Sequence, residues 1–206
     1  MLVKNPEQII DNDLTQVQIK FEQNNPNIIL CSKPFHKIEF FNRLINSTKE
    51  PVIIVDMDLL YSGYIQSGMI QKKDNVMIFC LDKTNWGGKL SEIISKVSKE
   101  RFLVIIDSFN GIYNVFDDFE SARFINSCIM LLASIGKHTK SSILITGMAR
   151  KKENDEWVLS PGGKHIIKSE KTGVYFLKKS VNDLVINALE KTDTNSKIFK
   201  IEQEKL

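Results

Sequence analysis

Five short, largely apolar runs recur along this chain, and they restrict its architecture more than any other feature. They are Ile28–Cys31, Val52–Val55, Val76–Leu81, Phe102–Ile106 and Ile143–Thr146. A strand with one wet face alternates apolar and polar side chains, so a run without alternation reads as a strand covered on both faces. Helical patterns fill the gaps. Pro34 suits a first helical turn, and Phe40, Phe41, Leu44 and Ile45 follow it at helical spacing. Leu90, Ile93, Ile94 and Val97 form a second apolar stripe. A third, Ala122, Ile125, Ile129, Leu132 and Ile135, stands between the candidate caps Asp117 or Asp118 and a candidate end at Gly136 and Lys137. This alternation predicts an α/β fold with a mostly parallel sheet flanked by helices and right-handed crossovers.

The pattern changes after residue 165. Val174–Leu177, Leu184–Ala188 and Ile198–Ile201 follow at short spacing between polar turns, which predicts antiparallel strands added at the C-terminal end. Residues 1–26 are polar, with one alternating segment from Thr15 to Phe21, and read as a weakly packed extension before a core domain over 27–206. The 206 residues suffice for one such domain. A net charge of +3 permits nucleic-acid binding without requiring it. Cys31, Cys80 and Cys128 form no C-x-x-C pair and lie in or beside apolar runs, so buried free thiols are expected rather than a metal site. With no leader pattern and no apolar run approaching a membrane span, a cytoplasmic protein without membrane contact is expected.

Three places carry candidate chemistry. The first run enters Cys31-Ser-Lys-Pro-Phe-His36-Lys37-Ile38, where a phosphate loop G-x-x-x-x-G-K-[ST] would stand between strand and helix. Placing Lys37 on the motif lysine puts Cys31 and His36 on the glycines and Ile38 on the hydroxyl residue. Glycines let backbone N–H groups close around phosphate, and the hydroxyl ligates Mg²⁺. Pro34 removes a further N–H. Three of four key positions are lost, which predicts a vestigial loop, no ATP or magnesium cofactor and no hydrolysis. The second place is Asp107, a carboxylate ending a buried strand at the sheet edge where α/β folds bind ligands. Asp56 and Asp58, two apart, join it either as water-orienting carboxylates or as turn starters. The third is the stretch from Gly147 to His165, with Arg150, Lys151, Lys152, Lys164, His165 and Trp157. Cations that follow phosphates beside a stacking ring suit single-stranded nucleic acid, although Glu153, Asp155 and Glu156 partly cancel the charge and a solvated hairpin reads equally well.

In order and spacing, Ile106-Asp107-Ser108, Ile143–Gly147, Gly162-Gly163-Lys164-His165 and Tyr175–Lys179 give a chain that resembles the RecA-like recombinase core, in particular its archaeal and eukaryotic RadA-type branch. The likeness spans about residues 27–206 and lacks the family's N-terminal helical domain. It implies that Asp107 is the magnesium-side aspartate and Lys37 the phosphate lysine, and that Asp58 replaces a catalytic glutamate. Both Asp58 and Asp107 would then be vestigial. It also implies that the 147–165 stretch contacts DNA. The other DNA loop of the family would follow Ser108. Here it is aromatic and acidic from Phe109 to Phe119 and suits a protein contact instead. Phe119-Glu-Ser-Ala122 matches a family joining motif but is placed as helix packing.

The resulting expectation is a non-catalytic recombinase paralogue that binds single-stranded DNA, a recombinase or a sister paralogue, as a homo- or hetero-oligomer, in recombination and repair. The alternatives are an ATPase-dead assembly subunit of a multiprotein, tRNA-related complex, like the RecA-like ring subunits of Elongator, and a weak, unconventional ATPase.

Overall fold

The computed structural model describes residues 14–115, 119–151, 157–159, 169–180, 183–189 and 198–201. The five apolar runs become parallel strands β1 (Asn27–Cys31), β2 (Val52–Asp56), β3 (Val76–Phe79), β4 (Leu103–Asp107) and β5 (Ser142–Lys151). Between or before them lie α1 (Leu14–Gln23), α2 (Pro34–Ser47), α3 (Leu60–Gln66), α4 (Trp86–Val97), α5 (Phe109–Val115) and α6 (Phe119–Thr139). A short β6 (Trp157–Leu159) pairs antiparallel with β5, and β7 (Gly173–Ser180), β8 (Asp183–Ala188) and β9 (Ile198–Ile201) follow. The sheet order is β3-β2-β4-β5-β1-β7-β8-β9, with β7 parallel to β1 and with β8 and β9 antiparallel. The mostly parallel sheet with antiparallel C-terminal strands is as predicted.

Period-two geometry divides the runs between two cores. Ile28, Leu30, Ile53, Val55, Val104, Ile106, Ile143 and Ile145 face one layer, with Leu90, Ile93, Ile129 and Leu132 from α4 and α6. Ile29, Cys31, Val52, Ile54, Leu103, Ile105 and Leu144 face the other, with Phe40, Phe41 and Leu44 of α2 and Val17 and Phe21 of α1. Neither face is wet, which is why the runs show no polar alternation.

Four expectations need correction. Thr15–Phe21 is a helix: Val17 and Phe21 stand one turn apart on its buried face, where Phe21 meets the rings of Phe40 and Tyr175 edge-on. Ile19, the middle position of the alternation, is left exposed, and the segment packs into the core as a helix rather than loosely on it. Gly136 does not end α6. It lies inside the helix, where a Cβ would come within 2.8 Å of Asn25 Nδ2 and of Ser141 O, and Lys140 takes the left-handed φ of 59°. The stretch after Ser108 is helix α5, and Phe109 and Ile112 are buried in the core, so these two are closed to a partner. β5 continues through Gly147 to Lys151, so the first part of the predicted loop is a strand paired with β6. Among the described residues no helix is long and apolar enough to cross a membrane.

Candidate functional site

β1 lies between β5 and β7, while the helix that leaves it, α2, leads to β2 beyond β5 and β4. Strands therefore depart from β1 in opposite directions, and the crevice for a ligand in such a sheet lies at its carboxyl end. Three inward positions converge there on the α2 side of the sheet: Cys31 ends β1, Asp107 ends β4, and Thr146 lies in β5. All three are buried.

The link from β1 to α2 consists of Ser32 and Lys33 alone. The helix begins at Pro34 with no side-chain cap and no N–H at its first position. Lys37 therefore belongs to the first turn of a helix. Its side chain is buried at 1% exposure and does not face solvent. It pairs with Asp107 Oδ1 and, at 3.1 Å, with Asp58 Oδ2. Thr146 Oγ1 donates to Asp107 Oδ1 at 2.7 Å. Asp107 Oδ2 is buried without a hydrogen-bond partner. The Asp107–Ser108 peptide is cis, and Asp107 O accepts from the N–H of Met57 at 2.6 Å.

Burial dominates the electrostatics. It raises Asp107 to about 6, against the opposing pull of Lys37 and of the Thr146 hydroxyl. For Lys37 burial acts in the other direction. The charge of Asp107, the hydrogen bond to it and the charge of Asp58 together outweigh burial and hold the amine protonated above the ordinary lysine range. Burial likewise pushes the Cys31 thiol up to about 11, only partly offset by Lys37. Cys31 Sγ lies 3.8 Å from Gly147 O, occupying space on the strand-end side of the turn.

The predicted residues are only partly assembled here. Lys37, Asp58, Asp107 and Cys31 come together. His36 does not join them: it is half-buried on the outer side of α2, its imidazole held neutral by burial and by Lys33 and Lys179, against Glu39. Ile38 is buried in the α2 core. The strand ends at Asp56, so the alternation that would place Asp56 and Asp58 on one face stops there. Asp56 accepts the N–H of Ser62 at 2.7 Å and starts the turn into α3, while Asp58 goes to Lys37. Arg150, which is exposed, and Lys151 stand opposite Val158 and Trp157 in the β5–β6 hairpin. Lys152, Lys164 and His165 lie outside the described residues. Sequence reasoning missed Thr146. Its signal was a polar residue ending a buried run, at the same parity as Leu144. It also missed Gly111, where a Cβ would overlap Asp58 Oδ1.

This donor set does not fit a magnesium triphosphate. Ile38 offers no oxygen, a two-residue link offers no cradle of N–H groups, and the motif cation, Lys37, is already bonded to both carboxylates. Among the described residues no group of three or more His, Cys, Asp or Glu side chains is arranged to hold a metal ion. A cleft of about 260 Å³ lies at the opposite edge of the sheet, lined by Lys20, Tyr175, Leu189 and Phe199 among others.

No protein-family model matches the chain, and no curated protein matches it. Solved structures do. The chain is similar to a solved ATPase domain, with a TM-score of 0.61 and 10% identity over 95% of this chain and 91% of that one. It is similar to a DnaB-like replicative helicase, described with its interactions with primase, with a TM-score of 0.59 and 10% identity over 98% and 65%. It is also similar to the RadB recombinase, with a TM-score of 0.52 and 12% identity over 84% and 86%. At such identities the likeness is one of fold, and the fold of this chain is that of a RecA-like α/β core.

Proposed function

We propose that the chain is a non-catalytic, RadA-type paralogue of the RecA-like recombinases, acting in homologous recombination and repair by binding single-stranded DNA, a recombinase or a sister paralogue. The observation that carries the non-catalytic part is the engagement of Lys37 with Asp107 and Asp58 behind a two-residue strand–helix link. A lysine that serves phosphate must be open to it. Here a triphosphate would have to pull the ammonium from two carboxylates, one of them fully buried, and would then find neither cradle nor hydroxyl. The recombinase part is supported by the order of Ile106-Asp107-Ser108, the β5 strand and Tyr175–Lys179 on a fold shared with RadB. The DNA part is supported by Arg150 and Lys151 on the β5–β6 hairpin beyond the carboxyl edge.

Two titrations test this. Fluorescence anisotropy with a labelled 20-nucleotide single strand should show salt-dependent binding that weakens in Arg150→Glu/Lys151→Glu. Calorimetry with Mg²⁺ and ATP should show no turnover. Magnesium-dependent turnover that disappears in both Lys37→Ala and Asp107→Ala would establish the unconventional ATPase instead. If neither single-stranded DNA nor tRNA binds at moderate salt, the chain is an assembly subunit.

A further inference from the structure

The amino edge of the parallel sheet, opposite the candidate site, carries a row of lysines that the proposed function leaves unused. Every segment that precedes a parallel strand must lie at this edge, and hydrogen bonds stitch these segments together. Asn25 N donates to Lys171 O, and Asn25 Nδ2 to Ser141 O. Phe102 N donates to Ser141 Oγ, Leu103 N to Pro51 O, and Asn75 Nδ2 to Glu50 O. The seam runs from β7 through β1, β5, β4 and β2 to β3, in sheet order. Six strands at about 4.8 Å spacing span roughly 24 Å.

Exposed lysines follow this seam. Lys171 precedes β7, Lys137 and Lys140 precede β5, Lys99 precedes β4 and Lys49 precedes β2. Lys72 and Lys73 continue the row before β3, and half-buried Lys20 stands before β1. No ion pair with a described carboxylate engages any of these eight. The acids Glu22 and Glu50 are taken up by Arg101. Asp74, Glu100 and Glu170 are the remaining carboxylates of these segments, so the lysines outnumber them by five. Lysines near helix C-termini also complement helix dipoles. Five helices end at this edge, each contributing about half a negative charge at most, so the row keeps a net positive charge. With Arg101, Glu22 and Glu50 included the edge carries a net +4 against +3 for the whole chain, so the rest of the chain is net negative.

We propose that this edge is a second nucleic-acid surface, one that takes the phosphate backbone of a duplex without reading its sequence. The row is built on a rigid sheet, and a row of about 24 Å matches about seven base pairs at 3.4 Å each. A single strand is gripped through stacking aromatics, and among the described residues the exposed aromatics, Phe35 and Phe124, lie on α2 and α6, away from these connectors. The surface is separate from the β5–β6 hairpin, so its success does not depend on single-strand binding there.

Anisotropy with a labelled 20-base-pair DNA duplex tests it, using wild type, Lys99→Glu/Lys140→Glu/Lys171→Glu, the matching triple Lys→Arg variant, and Arg150→Glu/Lys151→Glu. The reversed sites are exposed, and a thermal melt checks that each variant folds. The charge-reversed edge should lose duplex affinity by tenfold or more at about 0.1 M salt. Its log–log salt slope should flatten by about three, near 0.9 per lost phosphate contact. The Lys→Arg variant and the hairpin variant should keep duplex binding. The proposal is overturned if wild type does not bind the duplex at about 50 mM salt. It is equally overturned if the charge-reversed edge binds with unchanged affinity and slope. Loss of single-strand binding in the hairpin variant alone bears only on the proposed function.

Discussion

Replacing Lys37 by Met separates a lysine that holds the fold from one that waits for phosphate. Met keeps the stem that packs under α2 and removes the ammonium. Asp107, with no exposed surface, then loses its cation, while Asp58, at 24% exposure, can turn to water. Removing one partner of a buried pair costs about 3–5 kcal/mol. The half-open Asp58 side puts this case at the lower end, about 3 kcal/mol. For a chain of this size that lowers Tm by roughly 6–12 °C.

The pH dependence follows from Asp107, already raised to about 6 with the ammonium beside it. Its folded value lies above the unfolded one, so the folded state holds the extra proton and gains stability as pH falls through that window. Without Lys37 the value climbs further, so the deficit of Lys37→Met should be smaller at pH 5.5 than at pH 7.5. Lys37→Met/Asp107→Asn removes both charges and keeps an acceptor for Thr146. It should return to within about 1 kcal/mol of wild type, giving a coupling of at least about 2 kcal/mol, larger by whatever Asp107→Asn alone costs. Urea melts of the four proteins at both pH values measure all of this. A Lys37→Met variant as stable as wild type, or a cycle with no coupling, would refute the ion-pair account and return Lys37 to the pool of available phosphate ligands.

Four further outcomes follow from the packing. Gly111→Ala should destabilise by about 1–3 kcal/mol in denaturant melts, because its Cβ would overlap Asp58 Oδ1 and come within 2.8 Å of Met57 Cβ. Phe21→Ala should cost about 3–5 kcal/mol in the same assay, because the ring is buried between Phe40 and Tyr175; a loosely attached segment would lose almost nothing. Lys140→Gly should be neutral or stabilise by up to about 1 kcal/mol, because it relieves a left-handed φ of 59°. In iodoacetamide labelling followed by mass spectrometry at pH 8, partly exposed Cys80 should react well before Cys31, whose buried thiol is held near 11.

The parallel sheet was readable because both of its faces are covered. That removes the period-two signal and leaves runs such as Val52–Val55 and Phe102–Ile106, which end within a residue or two of the strands themselves. Asp107 was readable for the same reason, as the residue that ends such a run. What stayed hidden depended on partners distant in sequence. Thr15–Phe21 alternates in type, yet only the docking of Val17 and Phe21 against α2 and β7 makes it a helix. Gly136 has the composition of a helix end but serves the close approach of Asn25, about a hundred residues upstream, and Lys140 takes the turn instead. The Lys37 pair was hidden twice over. A motif comparison registers the lysine as retained in a vestigial loop and gives no sign of where its ammonium goes.

Geometry supplies a different reason for keeping it. Once α2 starts at Pro34, the Lys37 side chain is carried under the sheet edge to a carboxylate, Asp107, that burial would otherwise leave bare. The aspartate at the end of β4 is buried, and an internal ammonium is one cation that can neutralise it without leaving the chain. On the proposed reading, loss of the glycines and retention of the lysine are two sides of one change. The short link removes the cradle and at the same time brings the amine within reach of both acids. On this account the lysine, Asp107 and Asp58 should change together or not at all, and reintroducing glycines at Cys31 and His36 without releasing Lys37 should leave Mg²⁺-ATP binding undetectable by calorimetry.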